Sequence, residues 1–201
     1  MQAENTKERI RAAAMEEFSA QGFAGARVDR IAKNAGVNIR MIYYFFGSKD
    51  ALLKDVVSDI FKNRQQAIPT RYDSPEEVLQ RYFSGFAGVP GAVRLLVWEA
   101  LQTPSDAANE LSNFEDRRAS IKQRVEGIRA LQKEGKLNAD LDPKLLYLAF
   151  VALSIYPLTF PQTVFTATGK YPSHKTFKKQ YSDFLTQIAK LLEPNGKKSK
   201  D

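Results

Sequence analysis

The chain has 201 residues, 43% hydrophobic and 26% charged, a composition that supports a globular fold with a sizeable buried core. It contains no cysteine and one histidine, which excludes a disulfide framework and a thiolate or histidine-rich metal site. Thirty basic against 23 acidic residues give a net charge of +7, which favours a polyanionic partner only weakly.

The N-terminus and the most apolar segment bear on membrane association. Residues 1–11 are polar and no apolar run follows them, so a secretory signal peptide is not expected. Leu145–Phe160 is shorter than the roughly 20 residues that cross a bilayer, and Pro157 interrupts it. We therefore expect a buried helix here, a cytoplasmic protein and no membrane partner.

The hydrophobic pattern is helical nearly throughout and predicts an all-α fold of about nine helices. The first helix has apolar residues at every fourth position up to Phe18, and Gly22 is expected to end it. Gly36 separates two short helices that follow. These three helices are predicted to form a DNA-binding domain over residues 1–48, and a fourth helix over 49–66 connects it to the rest.

A larger helical domain is predicted over residues 67–193, followed by a disordered tail over 194–201. The segment Ser74–Glu77 predicts the start of the fifth helix, because it places a Ser at the N-cap, Pro at the first helical position and Glu three residues after the cap.

The remaining helices are less clearly delimited. A long seventh helix is expected over 106–134, with Leu111 and Ile121 facing inward. The eighth helix is apolar on nearly every side and is expected to be covered on most faces. Residues 161–173 are rich in Pro, Gly and Thr and are predicted to form a loop, after which Ser173 caps the last helix.

Residues 22–52 contain the motif that indicates a function. Two short helices joined by a turn containing Gly form the helix-turn-helix pattern, whose second helix enters the major groove of DNA. That second helix carries Arg40, Tyr43 and Tyr44, and Lys49 follows it.

This segment resembles the DNA-binding half of the TetR (tetracycline-repressor-like) family. The residues that carry the resemblance, at the family's spacing, are Phe18, Gly22, Phe23, Val28, Ile31, Ala32, Ala35, Gly36, Val37, Tyr43, Tyr44, Phe46, Ser48, Lys49 and Leu52. The resemblance implies a homodimeric transcriptional regulator with an effector pocket in its second domain.

Phosphate contacts need hydroxyl, ammonium and helix N-terminal donors, whereas base contacts need side chains near the start of the recognition helix. The residues expected to contact DNA are Arg27, Asn38, Ile39, Arg40, Met41, Tyr43, Tyr44, Ser48 and Lys49. Tyr43 and Tyr44 could instead pack helix junctions, and Arg40 and Lys49 could be ordinary surface charges.

The motif departs from the family at several positions. Ala26-Arg27 replaces a Thr that usually caps the second helix, so that cap is expected to be lost. Asn38 replaces a common Ser, Arg40 stands where small residues are frequent, and Phe45 replaces a common His or Tyr. These changes affect the operator sequence and the affinity rather than the class of function.

The resemblance implies that aromatic residues of the second region line an effector pocket, although most of them could simply be packed core. The candidate pocket residues are Tyr82, Phe86, Trp98, Glu99, Phe114, Tyr147, Phe150 and Tyr156. Glu99 could bind a cationic ligand or pair with Arg94, and Arg117-Arg118 is expected to be solvated.

The resemblance also implies that the last two long helices form a two-fold dimer interface, unless they are buried within one monomer. The candidate interface residues are Leu146, Phe150, Leu153, Phe177, Tyr181, Phe184, Leu185 and Ile188.

The leading hypothesis is a repressor that a small molecule releases from a palindromic operator. A helical enzyme is disfavoured, because no activated nucleophile or acid–base pair is found, and no cofactor or metal is expected. A protein-interaction module and a ligand-independent DNA-binding protein are the alternatives, and salt dependence and effector response distinguish them from the leading hypothesis.

Overall fold

The computed structural model describes residues 2–67 and 69–194, and these fold into ten α-helices without a β-strand. The helices are α1 (Gln2–Gly25), α2 (Val28–Ala35), α3 (Ile39–Phe46), α4 (Lys49–Ala67), α5 (Pro75–Ala87), α6 (Pro90–Gln102), α7 (Phe114–Lys133), α8 (Pro143–Thr159), α9 (Pro161–Thr168) and α10 (Lys175–Leu191), with a 3₁₀ turn at Ala108–Glu110. The predicted all-α class is confirmed.

The chain forms two compact units. Unit 1 comprises Met1–Arg64 and Val89–Arg117, and unit 2 comprises Gln65–Gly88 and Arg118–Asp201. Unit 1 includes α6 because this helix packs on α1. The functional domain boundaries at residues 48, 66 and 193 stay predictions. From residue 195 onward, the tail expected to be disordered lies outside the described residues.

One hydrophobic cluster forms the core of unit 1. Each of the first four helices contributes a large side chain that is almost completely buried: Phe18, Ile31, Ile42 and Leu52. Burying such a side chain stabilises a fold by about 1.5–3 kcal/mol. Because α2 and α3 have eight residues each, they are too short to be stable alone, and this shared cluster holds them in place.

In unit 2, α5 packs against both α8 and α10. All five apolar residues predicted on its inner face are buried: Val78, Leu79, Tyr82, Phe83 and Phe86. Its start is also as predicted, since the Ser74 hydroxyl accepts the Glu77 N–H at 3.1 Å, and Pro75 occupies the first turn. The Glu77 carboxylate in turn accepts the N–H of Asp73 at 2.7 Å.

The predicted seventh helix is wrong at its start. The segment before α7 contains Pro104, the 3₁₀ turn and Asn113, whose φ of 55° is incompatible with a continuous helix, so α7 begins only at Phe114. Leu111 is only half-buried, and Ile121 is 42% exposed instead of facing inward.

The predicted loop over 161–173 is also wrong in its first half, which accounts for the tenth helix. Pro161 occupies the first turn of α9, and Gly169 ends the helix in a left-handed conformation. Pro at the start and Gly after the end are compatible with a helix between them. Ser173 does not cap α10, because the N-cap residue is His174 and no side chain closes the cap.

Within residues 2–67 and 69–194, no single helix is long and apolar enough to cross a membrane. Together α8 and α9 would be long and apolar enough, and they meet at a bend of 85°.

A close backbone approach at Gly127 generates the first testable prediction. A Cβ there would overlap the carbonyl oxygen of Thr70 and lie 3.2 Å from the ring of Tyr72. We expect Gly127→Ala to lower the free energy of unfolding by roughly 1–3 kcal/mol, because overlap with backbone outweighs the gain in helix propensity. Urea denaturation followed by circular dichroism measures this change. The matched control is Gly88→Ala, whose new Cβ would meet Ser84 at an ordinary 3.5 Å; equal stability of the two variants would contradict the prediction.

Candidate nucleic-acid interface

The turn between α2 and α3 requires a glycine. Gly36 has a φ of 64°, in the left-handed region, and its N–H donates to the carbonyl oxygens of Ala32 and Lys33. The chain can therefore end α2 and start α3 within three residues, as the predicted helix-turn-helix requires.

Helix α3 is attached by one side and exposed on the other. Ile42 is its single buried residue, while Ile39, Met41, Tyr43 and Tyr44 are exposed. Four apolar or aromatic side chains on an eight-residue helix that face solvent form a surface suited to binding a partner.

Capping side chains define the starts of α3 and α4. The Asn38 carbonyl oxygen accepts the N–H of Arg40 at 2.9 Å, which confirms the predicted cap. The Ser48 hydroxyl accepts the N–H of Ala51 at 3.0 Å and caps α4. Both helix N-termini therefore carry an ordered polar residue at the protein surface, and a helix N-terminus favours a nearby anion.

Two aromatic and two basic side chains flank these termini. Tyr44 is 80% exposed, so it does not pack a helix junction, and Tyr43 is half-exposed. Arg40 is exposed and has no ion-pair partner among the described residues. Lys49 is half-buried, with its Nζ 4.6 Å from the centre of the Phe23 ring, which orients the ammonium group.

Arg27 already has a partner. Its guanidinium donates to both carboxylate oxygens of Asp29, at 3.1 and 2.9 Å, and thereby holds the pKa of Asp29 below its ordinary value. Both side chains are largely exposed. Such a surface pair is weak, so the guanidinium can exchange Asp29 for a phosphate at little cost.

Sequence reasoning missed Glu17. As predicted, no side chain of α2 or its N-cap residue closes the start of that helix. Instead the carboxylate of Glu17 in α1, only 8% exposed, accepts the backbone N–H of Arg27 at 2.9 Å and pairs with Arg30 at 2.8 Å. The available indication was its position four residues after the buried Ala13, where an acidic residue is unusual.

The candidate pocket residues are divided between the units. Trp98, Glu99 and Phe114 belong to unit 1, and the other members, Tyr82, Phe86, Tyr147, Phe150 and Tyr156, belong to unit 2. Tyr82, Phe86 and Phe150 are buried, whereas Trp98 and Tyr156 are exposed. Whether any of them binds an effector stays a prediction.

Glu99 has an internal partner, but not the expected one. It pairs with Arg117 at 2.6 Å and accepts the N–H of Ser112 at 3.0 Å. The expectation that Arg117 is solvated is therefore wrong: its guanidinium carbon lies 4.0 Å from the centre of the Phe61 ring, and both charges are nearly buried. A buried carboxylate satisfied in this way is poorly suited to bind a cationic ligand.

The candidate interface residues differ in exposure. Leu146, Phe150, Phe177 and Leu185 are buried within unit 2, Leu153, Tyr181 and Ile188 are half-buried, and Phe184 is exposed. Contrary to the expectation of a covered helix, α8 leaves Leu145, Leu148 and Tyr156 exposed, at 66%, 59% and 49%.

Known proteins share both halves of this architecture. Residues 10–56 match the bacterial regulatory proteins of the tetR family, and residues 76–184 match the tetracyclin repressor-like C-terminal domain.

Individual relatives cover most of the chain. The HTH-type transcriptional repressor SCO4008 of Streptomyces coelicolor is 32% identical over 79% of this chain and 81% of its own length. The HTH-type transcriptional regulator RutR of Escherichia coli K12 is 30% identical over 90% of this chain and 87% of its own. A crystal structure of SCO4942 from Streptomyces coelicolor, described as a transcriptional regulator, aligns with a TM-score of 0.73 and 28% identity over 94% of this chain and 98% of that one.

The role of Glu17 generates a testable prediction. Glu17→Ala leaves the Arg27 N–H without its acceptor and Arg30 without its partner, so we expect a loss of about 1–2 kcal/mol in the free energy of unfolding. Glu16→Ala removes the adjacent, exposed carboxylate and serves as the matched control. Chemical denaturation compares the two variants, and a control that loses as much stability as Glu17→Ala would refute the capping role.

Proposed function

Because this chain belongs to the TetR family of DNA-binding transcriptional regulators, we propose that it is a homodimeric repressor. In this proposal α3 of each protomer enters the major groove of a palindromic operator, and a small molecule bound in unit 2 releases the DNA.

The exposed face of α3 is the observation that carries the proposal. The helix has eight residues and is about 12 Å long, which suits a major groove about 12 Å wide. Arg40, near its start, is placed to make bidentate bonds to guanine, and Ile39 or Met41 to contact a thymine methyl group.

Phosphate contacts are assigned to the side chains around the helix starts. Tyr43 and Tyr44 supply hydroxyl donors, and Lys49 supplies a positive charge next to the N-terminus of α4. Asn38 and Ser48 contribute through the helix starts that they cap. These contacts orient the protein on DNA but do not distinguish sequences.

We place the dimer interface on the exposed face of α8 and on Phe184 of α10, rather than on the predicted residues that unit 2 already buries. Leu145, Leu148 and Tyr156 lie three to eight residues apart and leave a large apolar area in solvent, which a second copy would cover. A two-fold dimer can then present two α3 helices to half-sites about 34–36 Å apart.

Effector control requires that ligand binding in unit 2 favours a state with weaker DNA affinity. Such coupling is typically worth about 1–3 kcal/mol. Helix α4 is the element proposed to transmit it, because its residues 49–64 belong to unit 1 and its last residues to unit 2.

Selection from random DNA duplexes by the purified protein tests the proposal. Enrichment of a palindrome is expected, and steep weakening of binding with added salt should accompany it. If no sequence is enriched at low salt, the sequence-specific repressor is rejected and a protein-interaction module takes its place.

Arg40 and Lys49 should differ in what they contribute. We expect Arg40→Ala to cost about 1–3 kcal/mol on the selected operator and little on random DNA, because it removes a base contact. Lys49→Ala should weaken binding to both DNAs similarly, because it removes a phosphate contact. Fluorescence anisotropy with both duplexes measures the two ratios; equal losses for Arg40→Ala on the two duplexes would remove its base-reading role.

The proposed interface is tested by placing a charge on α8. Leu148→Asp is expected to yield a monomer with at least tenfold weaker operator binding, because a carboxylate cannot be buried without a partner. Leu101→Asp makes the same change at a leucine of unit 1 that is 74% exposed, and should remain dimeric. Sedimentation analysis gives the masses, and a dimeric Leu148→Asp variant would move the interface elsewhere.

A further inference from the structure

Three polar side chains are buried together in unit 2. Tyr72 lies in the segment before α5, Tyr82 lies in α5, and Arg124 lies in α7; each is at most 4% exposed. The rings of the two tyrosines are 6.4 Å apart, and the guanidinium carbon of Arg124 is 5.8 Å from the centre of the Tyr82 ring.

Neither tyrosine hydroxyl has a hydrogen-bond partner among the described residues. Buried hydroxyls are nearly always paired, because an unpaired one loses its hydration without compensation. Burial also raises the pKa of both phenols, so each remains a protonated O–H donor at neutral pH. Two donors without acceptors therefore lie side by side inside unit 2.

The adjacent positive charge determines which acceptor fits. Arg124 is 4% exposed, its Nε donates to the Ser120 hydroxyl at 3.4 Å, and its charge acts to lower the pKa of both phenols. A buried cation next to two O–H donors is complementary to an anion and repels a cation.

We propose that Tyr72, Tyr82 and Arg124 form the head-group site of the effector, and that the effector is a monocarboxylate with an aromatic or other flat body. The inference rests on the proposed function and names the ligand class of that function. A carboxylate matches the planar fork of one arginine and leaves lone pairs for both hydroxyls.

The rest of the ligand is constrained by charge and by the neighbouring rings. A phosphate carries more negative charge than the single arginine of this cluster neutralises. Tyr147 of α8 meets Tyr82 edge to face, with ring centres 6.2 Å apart, which favours a flat apolar body over a hydrated sugar. Four elements of unit 2 supply the cluster: the segment before α5, α5, α7 and α8.

The first experiment uses the full-length protein and matched small probes. Benzoate, phenylacetate and 4-hydroxybenzoate are compared with their primary amides, which keep the shape and lose the charge. At millimolar concentration we expect at least one carboxylate to raise Tm by several degrees and its amide to leave Tm unchanged. The absence of any carboxylate-dependent shift, or an equal shift from the amides, overturns the proposal.

Hydroxyl deletion tests the same site without risking the fold. Tyr72→Phe and Tyr82→Phe each remove a hydroxyl that has no partner, so the free variants should have an unchanged or higher Tm. Carboxylate affinity measured by calorimetry should fall about tenfold or more, because a hydrogen bond to a charged group is lost. Tyr156→Phe, at a half-exposed tyrosine, is the control and should bind as the unmodified chain does.

Two outcomes of the deletion experiment would overturn the proposal. Unchanged carboxylate affinity in both Phe variants would show that the hydroxyls do not contact the ligand. A large fall in the Tm of the free variants would show that the hydroxyls serve the packed protein instead.

Failure of this inference is separable from failure of the proposed function. An enriched operator that no carboxylate releases would leave the repressor intact and reject the ligand class. A carboxylate that binds unit 2 in a protein that enriches no operator would retain the site and reject the repressor.

Discussion

The burial of Ile42 is the contact on which the DNA-facing surface depends. An eight-residue helix is not stable in water by itself, so α3 keeps its conformation only because this side chain enters the core that Phe18, Ile31 and Leu52 complete. One anchored position leaves the opposite face of the helix exposed. The same arrangement therefore fixes the orientation of α3 and presents its polar and aromatic side chains to a partner.

The helix starts around this core are capped in three different ways. Asn38 and Ser48 cap their own helices through neutral oxygens, so the positive ends of α3 and α4 keep their attraction for phosphate. Glu17 instead brings a negative charge from α1 to the start of α2, where Arg27 and Arg30 offset it. Local charge at α2 is thus balanced within the protein, whereas the ends of α3 and α4 remain suited to an external anion.

Features that depend on neighbouring residues follow from the sequence, and features that depend on distant ones do not. The caps at Asn38 and Ser74 and the buried face of α5 involve residues a few positions apart, and all three are predicted correctly. The Glu17 cap joins residues 10 apart, and the Glu99–Arg117 pair joins residues 18 apart. Those partners are brought together by packing, which hydrophobic periodicity does not encode.

The two buried arginines illustrate how structural and ligand-binding charges differ. Arg117 meets a carboxylate that also accepts a backbone N–H, so its charge is neutralised inside unit 1 and stabilises the junction of α6 and α7. Around Arg124 the nearby groups are hydroxyl donors, two of which have no acceptor among the described residues. Donors cannot neutralise a cation, and their desolvation cost is recovered only when an acceptor arrives. The arrangement that weakens the free protein is therefore the one that would make an anionic ligand bind tightly.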